Sequence, residues 1–181
     1  MTKQKSHSDD YIDTALTESI ALELELLTEI DYRHDPKPLQ REGVEALRAL
    51  IAEFGKSDFS PDPSKLALLL MRLRDLQVRD FALGCMEREE LEKHVEIWQW
   101  VVRIAPSRFL APPATLLSAI SYDLGKKELA ADSLEQALEA DSDYPLALLL
   151  KRVFNADWPA ETFATMRTEL HPKITAAIFE E

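Results

Sequence analysis

Four histidines, one cysteine and one pointed Arg–Asp pair are the residues of this chain whose types could support chemistry. The histidines stand at 7, 34, 94 and 171 and share no metal-ligand spacing such as HExxH. Asp31, His34 and Asp35 fall together in "DYRHD", at an expected helix end where an imidazole favours the C-terminal pole. His94 has Glu90 one turn before it, the pattern of a partly exposed helical histidine with an ion-pair partner. Cys85 is the lone cysteine, which excludes an internal disulfide and a thiolate-rich metal site, and no histidine neighbours it in sequence. There is no GxxxxGK[ST] or GxGxxG loop to cradle a phosphate, and no GxSxG nucleophile elbow. Arg79 and Asp80, adjacent near a helix start, are expected to pair with backbone and neighbours. The expectation is therefore no catalytic residue, no metal ligand and no cofactor.

The elements that would position these residues read as helices. Glycine occurs four times in 181 residues, strand-forming runs of Val, Ile and Thr are hard to find, and Leu, Ala, Glu and Arg dominate. A chain 46% apolar and 30% charged with that bias predicts an all-α fold of about eight to ten helices and no sheet. The opening "MTKQKSHSDD" has bases without an apolar run behind them, so 1–9 reads as a flexible tail. From Asp10 to about Ile30, apolar residues at Ile12, Leu16, Ile20, Leu24, Leu27 and Ile30 recur in helical steps, with Glu18, Glu23, Glu25 and Glu29 between them. "HDPKP" ends that helix. A second is expected from about Leu39 to Phe54, closed by Gly55. Asp62 and Pro63 supply the cap and first turn of a third. Residues 10–60 form an N-terminal helical segment, joined in one compact domain to a repeat region over 61–181.

From Asp75 a pattern appears and then repeats. Helix formers run to about Arg88, and "EELEKHVEIWQWVVRIAP" makes a second helix that stops at Pro106. After the interruption "SRFLAPP", the stretches "ATLLSAISYDLG" and "LGKKELAADSLEQALEAD" make another pair. The pairs superpose at an offset of 36, with Ala82 on Ser118, Trp98 on Leu134, Val101 on Ala137, Val102 on Leu138 and Ile104 on Ala140. The second pair resembles a tetratricopeptide repeat, with Leu117 and Ser118 as the apolar–small step, Gly125 as the turn, Ala130 and Leu134 in the second helix, and Ala137 as its late small site. Ala114 stands where that pattern wants a large residue and Ser142 where it wants proline. In the first pair, His94 stands where it wants a small one. A third unit opens at "DYPLALLLKRVF", with a helix expected from Pro159 to Leu170 and a short one before Phe179. The chain is thus expected to stack antiparallel hairpins as a degenerate tetratricopeptide-like array with extra N-terminal helices. In such a stack the first helix of each unit lines a concave wall. That register sets Arg79, Leu83 and Met86 beside Thr115, Ala119 and Tyr122 as candidate contacts for an acidic or apolar peptide; the alternative is that neighbouring segments, especially the acidic helix over 10–30, fill the groove or that this face is buried core. Trp98 falls on a core position; Trp100, two residues on, lies on another side of its helix.

A second resemblance rests on "LRDLQVRDFAL" (73–83), "RIAPSRFLAPP" and the stretch 111–150. Its most specific parts are Val-Arg-Asp at 78–80 and Ala-Pro-x-Ala-Thr-Leu-Leu at 111–117. Over roughly 64–158 the chain resembles the C-terminal half of an actinobacterial family described only as a domain of unknown function. Members of that family are usually longer, with a Pro-Tyr-Leu-Leu-Gly-Phe-like stretch in an N-terminal half that has no counterpart here. The resemblance implies either the C-terminal part of such a protein or a shortened relative, and it brings no mechanism.

Charge narrows the partners. The net charge of −12 divides into −6 over 1–35, −7 over 128–181 and +1 between them. Two acidic ends repel phosphate, so nucleic acid is not an expected partner. No apolar run approaches the roughly 18 to 20 residues of a membrane span. A cytoplasmic, non-enzymatic module that binds a protein or peptide is the leading reading. The alternatives are a structural or regulatory domain of a larger protein whose chemistry lies elsewhere, and an enzyme of unrecognised type.

Overall fold

The computed structural model describes residues 7–180, with side chains from Asp13 onward. Among these residues the chain forms nine α-helices and two 3-10 turns, and no strand. Helix α1 (His7–Leu24) takes in the last three residues of the expected tail; the others, 1–6, lie outside the described residues. Leu16, Ile20 and Leu24 are buried, as their spacing requires. The helix then stops short of Ile30, because the chain is pulled across the end of the helix at Pro63–Arg72. There Arg72 donates to the Thr28 carbonyl and Arg74 pairs with Glu29, and these distant ties outweigh the local periodicity. "DYRHD" consequently sits in an exposed turn rather than at a helix end, with His34 3.3 Å from the Asp31 carboxylate.

Local chemistry sets most other boundaries. Helix α2 (Lys37–Glu53) is followed by Gly55 at φ +85°, a left-handed position that glycine takes without strain. Asp62 caps α3 (Pro63–Arg72) by accepting from the Ser64 and Lys65 amides. Asp75 caps α4 (Leu76–Gly84) by accepting from Gln77 and Val78 at 2.8 and 3.0 Å. Helix α5 (Leu91–Ile104) stops before Pro106. The expected interruption shrinks to one 3-10 turn at Ser107–Phe109, since Pro112 and Pro113 occupy the first turn of α6 (Ala111–Asp123). Their missing N–H groups would have had no helical acceptor there. Helices α7 (Lys127–Ala140), α8 (Pro145–Asn155) and α9 (Ala160–Phe179) complete the chain.

The α6–α7 hairpin is the most closely packed pair. Ser118, Ala130 and Ala137 are buried at its seam, and the Ser118 hydroxyl donates to the Ala130 carbonyl at 2.7 Å. Small side chains let the backbones approach that closely. The preceding pair does not close in the same way. Helix α4 packs on α9 and α2 with little contact to α5, and the site that wants a small residue carries the buried imidazole of His94. Four of the five superposed positions share their burial class; Ile104 is buried where Ala140 is exposed.

Helix α9 differs from expectation too. One helix runs through Pro172 where a break was expected. An interior proline costs about 3 kcal/mol. Phe163 and Arg167 before it and Ile174 and Ile178 after it are nonetheless all buried, so both halves are anchored. The N-terminal segment joins the same core, with α1 on α3 and α5, and α2 on α3, α4 and α9. Trp98 lies in that core, and Trp100 packs against the rings of Phe54 and Phe59. None of the described helices is long and apolar enough to cross a membrane.

Candidate functional site

All six candidate wall residues are buried: Arg79, Leu83, Met86, Thr115, Ala119 and Tyr122. The wall is covered: α9 lies along α4 and also touches α6. Arg79 turns onto Asp80 at 2.6 Å. The Thr115 hydroxyl donates to its own helix at Ala111, and Tyr122 stacks on Phe154 while donating to the Trp158 carbonyl. Apart from Met86, these side chains are closed to a peptide while α9 is in place.

The opening lies at one end of that wall. A cleft of about 900 Å³ is bounded by residues 84–89 and 91, by Asp123 and Leu124 at the end of α6, and by the α9 face from Glu161 to Pro172. Of the six wall residues, Met86 alone borders it. The C-terminal ends of α4 and α6 meet here, and helix C-termini carry partial negative charge. Arg167 answers that charge from inside. Its Nη1 donates to the Leu83 and Met86 carbonyls at 3.2 and 2.9 Å. Its Nε and Nη2 both donate to Asp123 Oδ2, at 3.1 and 2.9 Å. The two side chains are 4% and 2% exposed. Asp123 Oδ1 receives no hydrogen bond. Burial raises the Asp123 pKa above the usual carboxylate value, with the Arg167 charge pulling the other way.

His171 and Cys85 border the same cleft, a meeting that their separation in sequence conceals. The imidazole lies 4.9 Å from the Phe81 ring, its Nδ1 has no partner, and burial holds its pKa below the ordinary value. Gly84 permits this approach, since a Cβ there would come within 2.7 Å of His171 Cβ. The Cys85 thiol donates to the Ala82 carbonyl at 3.5 Å, and burial pushes its pKa up to about 11. That is a thiol, not a thiolate, at neutral pH. His94 lies elsewhere, in α5, and is fully buried rather than partly exposed. Its Nδ1 is unpartnered and burial lowers its pKa. Among the described residues, no group of three or more His, Cys, Asp or Glu is arranged to hold a metal ion.

Sequence reasoning missed this cleft because Arg167 pairs across 44 residues with Asp123 and across more than 80 with the α4 end. One signal was present. Phe163, Arg167, Ile174 and Ile178 continue a single helical face past Pro172, with a cation inside an otherwise apolar stripe.

These features define an all-α helical domain with an acidic cleft at the meeting of two helix ends. The chain belongs to the DUF4192 family, described as a domain of unknown function, whose sequence profile matches residues 2–161. That match reaches the N-terminal helices, beyond the stretch 64–158 that carries the quoted motifs, while nearly all of α9 lies outside it. Comparison with curated proteins and with solved structures returns no match.

Proposed function

We propose that this protein is a non-enzymatic, cytoplasmic interaction module that receives a peptide or an extended protein segment in the cleft beside α9. The observation carrying this reading is the cleft itself, about 900 Å³ and bounded by three separate chain segments. It has room for several side chains at once. Two of its reactive groups are occupied structurally. Arg167 is spent on Asp123 and two carbonyls, and the Cys85 thiol is bound to its own helix. The hydroxyls of Thr165 and Thr168 donate to the α9 backbone. The α6–α7 hairpin supplies the tetratricopeptide-like part of the architecture. It supports the cleft through Asp123.

The test is a displayed-peptide selection on the full chain, followed by binding to the Ala164→Trp variant. Ala164 is half-buried on the cleft wall, so an indole there fills the space. Peptides that bind the original chain and lose affinity for a variant with unchanged melting temperature support the reading. Peptides that bind both forms equally, or a selection that yields no binder, refute it.

A further inference from the structure

Resting on the reading of this cleft as a peptide site, we infer that its ligand presents a lysine side chain, whose ammonium is taken by Asp123 Oδ1 and the acidic rim. Charge complementarity points first to a cation. Glu87, Glu89, Glu161 and Glu169 border the cleft against one unspent base, Arg88, since Arg167 is already matched by Asp123.

The Asp123 carboxylate makes the demand specific. Its side chain is 98% buried, Oδ2 accepts both Arg167 donors, and Oδ1 is left without any. A buried acceptor without a donor is costly, and an N–H brought by a ligand removes that penalty. Arg167 already matches the Asp123 charge, so the attraction for a further cation comes from the rim carboxylates, and Oδ1 supplies the acceptor. A guanidinium fits poorly as the second, because its planar fork needs two parallel acceptors and a single oxygen is free. An ammonium is a compact charge whose three donors turn independently. It can give one hydrogen to Oδ1 and others to the rim carboxylates.

The experiment is a 15N-HSQC titration of the full chain with a blocked Ala-Ala-Lys-Ala-Ala peptide. The same frame carrying arginine, norleucine or acetyl-lysine at the centre, and butylamine as free alkylammonium, serve as comparisons. The lysine peptide is expected to give saturable shifts confined to 84–91, 123–124 and 161–172, with norleucine and acetyl-lysine at least about tenfold weaker. Asp123→Asn should weaken lysine binding. Because that change also loosens Arg167, Glu161→Gln with Glu169→Gln provides a second variant that leaves the buried pair alone and should weaken it as well. Butylamine binding as tightly as the peptide would overturn the peptide source. Arginine binding better than lysine would overturn the single-acceptor argument. Norleucine binding in the cleft as well as lysine overturns the inference while leaving the peptide reading intact. Lysine shifts spread over the acidic faces of α1 and α7, or absent altogether, overturn it too. Failure of the display selection is the separate result that removes the reading beneath it.

Discussion

Replacing Arg167 with methionine tests the account of α9 most directly. Methionine keeps much of the aliphatic stem, so the loss falls on charge and hydrogen bonds. Arg167 makes four hydrogen bonds, two to one carboxylate oxygen and two to the Leu83 and Met86 carbonyls. Both members of the pair are almost fully buried. Removing one partner of such a pair costs about 3–5 kcal/mol, mostly because the other charge is left uncompensated. For a domain of this size each kcal/mol lowers the melting temperature by about 2–4 °C, so the expected fall is roughly 6–20 °C. The deficit should depend on pH with a definite sign. Burial already raises the Asp123 pKa and Arg167 opposes it, so the variant leaves the raising influence alone. A raised folded pKa means stability is retained below the unfolded value near 3.9 and lost as pH rises through the folded value. The deficit should therefore be largest near neutrality and shrink toward about pH 4 to 5. Urea unfolding followed by circular dichroism at several pH values reads both quantities. Arg167→Met combined with Asp123→Leu should recover much of the loss, since no buried charge is then orphaned. A loss under about 1 kcal/mol in the single variant would refute this account, as would a double variant as unstable as the sum of the two singles.

Ala130→Leu overfills the α6–α7 seam and should cost about 1–3 kcal/mol, whereas Ala131→Leu, on the exposed side, should stay within about 0.5 kcal/mol. Equal melting temperatures for the two variants would contradict the packing described. His94 has a folded pKa depressed by burial, so its contribution is present above the unfolded value near 6.5 and lost as pH falls through the lower folded value. His94→Leu should flatten the decline of the urea midpoint between about pH 7 and 5, leaving the smaller slope due to His171, whose shift has the same sign. An unchanged slope would show that the imidazole is not the titrating group. Cys85, with its pKa pushed up to about 11, should react with iodoacetamide at about pH 8 roughly a hundred-fold more slowly in the folded chain than in urea. Equal alkylation rates would place the thiol outside the packing seen here.

What the sequence made legible was local. Asp62 with Pro63, and Gly55 and Gly125 at positive φ, act within a few residues, so their reading survives in the structure. The seam of Ser118, Ala130 and Ala137 was legible for the same reason, as three residues separated by one tight turn. Which segment covers the candidate wall was not legible, because the placement of α9 depends on partners more than 80 residues away. Pro172 misled in the same way. Its local penalty is visible in the sequence, and the burial of Ile174 and Ile178 that outweighs it is not. The truncation of α1 at Leu24 was hidden likewise, since Arg72 and Arg74 draw the following segment from 44 and 45 residues away.

Helix α9 also fastens its own C-terminal end to α2. Arg41 in α2 donates to the Ile178 carbonyl at 2.9 Å, and Lys37 donates to the Glu180 carbonyl at 2.6 Å. Arg48 lies over the rings of both Phe81 and Phe179, at 5.2 Å from each. On the ribosome this closure must wait for α9, which is made after α2 and α4. Helices α2 and α4 emerge with a shared apolar face and wait, uncovered, until some hundred further residues have been made. At about 5–20 residues per second that interval lasts on the order of ten seconds, during which the exposed face is open to chaperones and to neighbouring chains. Helix α9 thus sets when that face is covered, as well as forming a wall of the cleft.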